Sequence, residues 1–220
     1  MKKGIIFDVD GVLVDSMPYH ASAWVKAFET VGINVREDEI YEIEGSNHVG
    51  VINLIFEKAG RVPDTEMYED LLQKKRSHFM KNNKSLVFEN MQECLGNLKS
   101  HYKLAVASGA DRTIVTSLMD KFYPDIFDVI VSGQDVKHGK PDPEPYLKAA
   151  DMLGLDARDC LVVENAPLGV ISAKSAGMYC VVVPTYLAPE KLQEADLLLE
   201  DHSALVDYLN KLAASESSIE

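Results

Sequence analysis

Apolar residues along this chain follow two rhythms. Short unbroken apolar runs recur at Gly4–Phe7 (GIIF), Leu104–Ala107 (LAVA), Val129–Val131 (VIV), Leu161–Val163 (LVV), Cys180–Val183 (CVVV) and Leu197–Leu199 (LLL). Runs of this length without polar alternation predict strands buried on both faces. Between them, Met91–Ser100, Arg112–Lys121, Pro145–Leu153, Pro167–Ala176 and Ser203–Leu212 carry helical spacing. Strand–helix alternation predicts an α/β fold, a doubly wound, Rossmann-like core built on a parallel sheet. Right-handed crossovers then bring the strand C-termini to one edge, where such sheets bind ligands.

Residues 17–82 break the alternation. No convincing strand occurs there, and the apolar spacing is helical: Trp24, Phe28 and Val31, then Val51, Leu54 and Ile55, then Leu71, Leu72 and Phe79. Roughly 65 residues of helix inserted after the first strand predict a second small domain, an α-helical cap. The expected division is a core of residues 1–16 and 83–220 and a cap of residues 17–82, with joints near Asp15–Pro18 and Asn82–Leu86. The tail, Ala213–Glu220, is small and polar and is expected to fray. No internal repeat is present.

Composition narrows the classes. Apolar residues make up 46% of the 220, enough for a packed core. The net charge of −13 comes with no basic stripe, which argues against a nucleic-acid partner. Phosphates can still bind where positive charge is local or metal-borne. Cys94, Cys160 and Cys180 are odd in number and widely spaced, and they read as small buried hydrophobes in a reducing compartment. No signal-peptide pattern and no membrane-length apolar stretch are present, so a soluble, cytoplasmic protein is expected, without a membrane partner. No unusual exposed stripe stands out, and a monomer is expected.

The chemistry sits where the apolar runs stop. The first run ends at Asp8, and Asp10 follows just before Gly11. Two close acids at the end of a buried strand are costly unless compensated, and Mg²⁺ suits carboxylate oxygens. One acid could then attack phosphorus while the other moves a proton. A surface turn is the plain alternative. An EF-hand loop is excluded, because its twelfth position would be Tyr19 rather than Glu. Leu104–Ala107 ends at Ser108-Gly109-Ala110-Asp111. The Ser108 hydroxyl and the unhindered Gly109 N–H could hold a phosphate oxygen, or the segment could simply cap a helix. In Gly139-Lys140-Pro141-Asp142-Pro143 the prolines stiffen the backbone around Lys140, which could offset a phosphoryl group and an attacking acid. Leu161–Val163 ends at Glu164-Asn165, two oxygen donors for a hard cation, or a helix start with Asn165 as cap.

Taken together, Phe7-Asp8-Val9-Asp10-Gly11, Ser108-Gly109, Gly139-Lys140-Pro141-Asp142 and Val163-Glu164-Asn165-Ala166-Pro167 resemble the four motifs of the haloacid dehalogenase superfamily, over about residues 4 to 184. Asp15-Ser16-Met17-Pro18-Tyr19-His20, with Ala23-Trp24, resembles its β-phosphoglucomutase-like subgroup of phosphatases and mutases, which carry a small helical cap. The resemblance implies that Asp8 is the nucleophile and Asp10 the acid–base. It implies that Ser108, Gly109 and Lys140 bind phosphate. It also implies that Mg²⁺ is held by Asp8, Asp10, Glu164 and Asn165. A small phosphorylated metabolite would be the substrate, and a phosphatase, a sugar-phosphate mutase or a non-catalytic binding protein on this scaffold are the readings to separate.

The fourth motif departs from the usual acid pair, since Asn165 removes one negative charge. In the stretch Ile43-Glu44-Gly45-Ser46-Asn47-His48, His48 falls where mutase-like relatives carry an arginine, and Glu44 replaces a lysine. Histidine cannot make a bidentate fork to a second phosphate, which favours a phosphatase of sugar or polyol phosphates. His20 stands near the domain joint, within reach of Asp10 or substrate, or as a structural histidine. Lys75 lies in the run Lys74-Lys75-Arg76 on a cap helix; it could point inward to the substrate, with His20 and His48, although a solvated face is the plainer expectation.

Overall fold

The computed structural model describes residues 2–217. Six strands, β1 (Gly4–Phe7), β2 (Lys103–Ala107), β3 (Val129–Val131), β4 (Cys160–Glu164), β5 (Tyr179–Val182) and β6 (Leu197–Leu198), form one parallel sheet in the order β3-β2-β1-β4-β5-β6. The direction of winding reverses at β1, so a crevice opens beyond its C-terminus. Phe7 pairs with Val106 on one side and Val163 on the other, which sets Asp8, Ser108 and Glu164 at neighbouring strand ends.

Successive residues of β1 face opposite sides, as the pleat requires. Ile5 and Phe7 enter a core with α5 (Met91–Lys99), α6 (Arg112–Phe122) and α9 (His202–Ser217), while Ile6 enters another with α7 (Glu144–Leu153) and α8 (Pro167–Ser175). This two-sided burial explains the unbroken apolar runs. The three cysteines are free and buried, as expected for small hydrophobes.

Between β1 and α5 lie four helices, α1 (Met17–Glu29), α2 (Glu37–Tyr41), α3 (His48–Lys58) and α4 (Thr65–Asn82). They enclose a separate apolar cluster that includes Met17, Trp24, Phe28, Ile52, Phe56 and Leu71. The chain leaves and returns at one point: Val14 bridges Val87, and Asp15 N–H donates to Leu86 O at 2.9 Å.

Three details differ from the sequence reading. Helix α2 was not foreseen, because Ile40 is its only buried residue. Leu54 is exposed, and α3 instead buries Val51, Ile52, Ile55 and Phe56. Helix α9 continues beyond Leu212 to Ser217, with Ala213 packed in the core, so the expected fraying does not begin at Ala213. The rest of that tail, 218–220, lies outside the described residues. No helix among the described residues is long and apolar enough to cross a membrane.

Candidate active site

Asp8 and Asp10 leave the C-terminal end of β1 side by side, and both are buried. They have different partners. Lys140 Nζ donates to Asp8 Oδ1 at 2.5 Å and to Glu164 Oε1 at 2.7 Å. Glu164 Oε1 also accepts from Tyr146 Oη at 2.7 Å, while Oε2 accepts from the backbone N–H groups of Asn165 (2.7 Å) and Ala166 (3.0 Å). Four protein donors therefore use the Glu164 carboxylate. In this arrangement it holds Lys140 in place. Gly169 makes this packing possible, since a Cβ there would lie 1.7 Å from Glu164 Oε1.

Asp10 is gripped from the other side. Its Oδ1 accepts from Ser16 Oγ at 2.5 Å and its Oδ2 from Ser108 Oγ at 3.1 Å. His20 Nε2 lies 2.9 Å from Asp10 Oδ1 but is not aligned for a hydrogen bond. Lys75 Nζ stands 2.7 Å from His20 Nδ1. An ammonium can only donate, so Nδ1 accepts and the His20 proton sits on Nε2, facing Asp10. Of the two readings of Lys75 the structure has the inward one: it is 2% exposed and not on a solvated face of α4. Arg76 also turns inward and pairs with Asp111 at 2.5 Å, whereas Lys74 pairs with Asp70 on the surface.

Burial governs the titration of these groups. It pushes the Asp8 carboxyl up, to about 8, against Lys140 and with help from Glu164 and Asp10. Burial acts the same way on Asp10, but His20 and Ser16 outweigh it and hold Asp10 below the usual carboxylate range. Burial lowers Lys75 to about 8 and lowers His20 as well, with Lys75 adding to the latter and Asp10 opposing. Asp8 is therefore displaced toward its protonated form and Asp10 toward its carboxylate; a nucleophile and an acid need the reverse, which a divalent cation beside Asp8 and an anionic phosphate beside Asp10 would supply.

The structure settles two of the open helix-cap alternatives. Asp111, not Ser108, caps α6, accepting from Thr113 N–H at 3.0 Å, which leaves the Ser108 hydroxyl for Asp10. Asn165 caps no helix. Ala166 occupies the cap position of α8, and Asn165 Nδ2 donates to Glu44 Oε1 at 3.0 Å. Gly109 lies against the cap loop, where a Cβ would come 2.4 Å from Gly45 O and 2.6 Å from Ser46 O.

Asp8, Asp10, His20, Glu44, His48, Lys75 and Gly109 line one cavity of about 50 Å³ beneath the cap. That space holds a few waters, so a sugar phosphate requires the cap to move. His48, half-buried at the start of α3, lines this cavity, and burial lowers its pKa. Lys140 and Asn165 do not line the cavity and join the site through Asp8 and Glu44 respectively. Sequence reasoning missed Ser16, Glu44, Arg76 and Tyr146. Ser16 carried a usable signal, since a hydroxyl soon after an acid at a chain joint can fold back on it. The others reach the site only through tertiary packing.

Among the described residues, no three His, Cys, Asp or Glu side chains form a ready-made metal cluster. The available donors nevertheless suit a hard cation. Asn165 Oδ1 is buried without a partner, and it stands among carboxylates at the strand ends.

Residues 5–183 match the haloacid dehalogenase-like hydrolase family, and the chain belongs to it. It is 32% identical over 204 residues to the phosphorylated carbohydrates phosphatase of Thermotoga maritima, covering 90% of each chain. It is 30% identical over 188 residues to the β-phosphoglucomutase of Bacillus subtilis, covering 82% of this chain and 83% of that one. The crystal structure of β-phosphoglucomutase from Clostridium difficile superposes with a TM-score of 0.85 at 24% identity, covering 100% of both chains. The protein is accordingly an enzyme of the phosphatase and phosphomutase group within this family.

Proposed function

We propose that the protein is a Mg²⁺-dependent phosphatase of small phosphomonoesters, sugar or polyol phosphates, that works through an aspartyl-phosphate on Asp8. The observation that carries this reading is the division of partners between the two acids. Asp8 faces Lys140, a cation that offsets both the nucleophile and a phosphoryl group, while Asp10 is held by hydroxyls and His20.

In the first step a carboxylate oxygen of Asp8 attacks phosphorus, the ester P–O bond breaks, and Asp10 gives its proton to the departing alkoxide. In the second, Asp10 takes a proton from water, the water oxygen attacks phosphorus, and the bond to Asp8 breaks. Lys140, Ser108 and Gly109 surround the phosphoryl oxygens. Asp8, Asp10 and Asn165 would hold Mg²⁺, which when bound offsets negative charge on the transferred group. Ser16 and His20 keep Asp10 aimed, and Lys75 keeps His20 in one tautomer. Cap closure excludes bulk water and selects the leaving group.

The phosphatase reading is favoured over a mutase by the cations in the cavity. Among the described residues lining it none is an arginine, and Lys75 is already committed to His20. Arg76 is committed to Asp111. A second phosphate finds no free guanidinium there. The test is a panel of phosphorylated metabolites with Mg²⁺, followed by acid quench with ³²P-labelled substrate. Free phosphate and labelled protein, both absent in Asp8→Asn, are expected. Product accumulating without labelled protein rules out the intermediate, and an isomerised hexose phosphate without phosphate release identifies a mutase.

A further inference from the structure

Glu44 belongs to the cap, in the loop between α2 and α3, yet it is 5% exposed and lines the same cavity as Asp8 and Asp10. One of its oxygens accepts from Asn165 Nδ2, and the other, Oε2, is buried without a partner. Asn165, 1% exposed, likewise leaves Oδ1 without a donor. Two adjoining side chains from different parts of the chain thus each bury a bare oxygen. An unsatisfied buried acceptor is costly, and a buried carboxylate without a counter-charge more so.

The charge balance leads to the same place. Four buried carboxylates, Asp8, Asp10, Glu44 and Glu164, stand with two buried ammonium groups, Lys140 and Lys75. Lys140 is shared by Asp8 and Glu164, and Lys75 is turned toward His20. No cationic side chain pairs with Glu44 among the described residues. With every carboxyl ionised, the surplus of two negative charges matches one divalent cation; without that charge, burial pushes Asp8 and Glu44 toward their protonated forms.

The loop is also docked rather than loose. Gly45 has a φ of +92°, open to glycine but strained for other residues, and its carbonyl rests against Gly109. This conformation turns the neighbouring Glu44 toward the core.

We infer that Glu44 is a cap-borne member of the cation site, supplying beside the neutral Asn165 the negative charge that this position lacks, so that cation binding and cap docking are one coupled equilibrium. The inference rests on the proposed use of a divalent cation. A cation that binds better when Glu44 is docked must favour docking by its differential affinity for the two forms.

Calorimetric titration of Mg²⁺ and Mn²⁺ into the whole protein tests it, with hydrogen exchange across residues 43–47 as a second readout. Glu44→Gln keeps the contact to Asn165 and removes only the charge. It is expected to weaken the cation about tenfold, while the double variant Glu44→Gln/Asn165→Asp returns to within about threefold of wild type. Mg²⁺ should slow exchange of the loop in wild type and not in Glu44→Gln. Wild-type cation binding that Glu44→Gln leaves within twofold overturns this inference alone, as does equal protection of the loop in both proteins. Absence of cation binding by wild type overturns both this inference and the metal dependence beneath it.

Discussion

Replacing Lys140 with Met tests the core of the site, because it removes a charge while keeping most of the side-chain volume. The ammonium of Lys140 is buried between Asp8 and Glu164, 2.5 Å from one and 2.7 Å from the other. Without it, two buried carboxylates face each other with no counter-ion. Breaking a buried pair by deleting one partner costs about 3–5 kcal/mol. For a chain of this size that corresponds to a fall in Tm of about 10 °C. The loss should depend on pH. The folded-state pKa of Asp8, about 8, already lies above its ordinary 3.8, so folding favours the protonated acid and this contribution fades as pH rises through about 8. Removing Lys140 raises that pKa further. Below pH 8 both proteins lose stability at the same rate as pH rises, so wild type and variant should differ least near pH 5 and diverge above pH 8, by up to about 1.4 kcal/mol for each unit of added displacement. Urea unfolding followed by circular dichroism at pH 5 and pH 9.5, with EDTA present so that no cation substitutes for lysine, measures both quantities. Phosphate release by the variant should fall about 10²- to 10³-fold, the usual loss when a preorganised electrostatic contact is removed. A variant melting within about 2 °C of wild type at pH 9.5, or a difference that is the same at pH 5 and pH 9.5, would refute the reasoning.

Two glycine substitutions are expected to have opposite signs. Gly169→Ala forces a methyl group into Glu164 and should cost about 3 kcal/mol, whereas Gly96→Ala, inside α5 with open space around it, should gain about 0.5–1 kcal/mol; thermal melts of both variants check this. His20 is held below its ordinary 6.5 in the folded protein, so the unfolded chain takes up the extra proton first as pH falls through 6.5. Wild type should lose stability relative to His20→Gln between pH 7.5 and 5.5, and a constant difference in unfolding free energy across that range would contradict the neutral, Lys75-paired histidine.

Much of the sheet was legible because its strands are covered on both faces, which leaves unbroken apolar runs in the sequence. The strand-end groups were legible for a related reason. Asp8, Ser108 and Glu164 end such runs, where polar groups have no place unless the site uses them. Helix α2 was not legible: Glu37, Asp38 and Glu39 fill its first turn, and a single buried residue gives no period. Lys75 and Arg76 were not plainly legible as inward-facing because a run of three basic residues normally faces water. Their partners, His20 and Asp111, lie 55 and 35 residues away, beyond any local pattern. Glu44 and Asn165 are separated by 121 residues, so their contact could only emerge from the fold.

The bridge between Val14 and Val87 pins the outgoing and returning strands of the helical insertion together. Only two neighbouring crossings connect it to the sheet, and it has an apolar cluster of its own. Recombination at those crossings could exchange the whole insert like a cassette, leaving Asp8, Lys140 and Glu164 untouched. Such an exchange would discard His20, Lys75 and Glu44 together with the old specificity, so a donor cassette must bring its own means of aiming Asp10. Diversification of substrate range on this scaffold is therefore modular in architecture but constrained at the hinge.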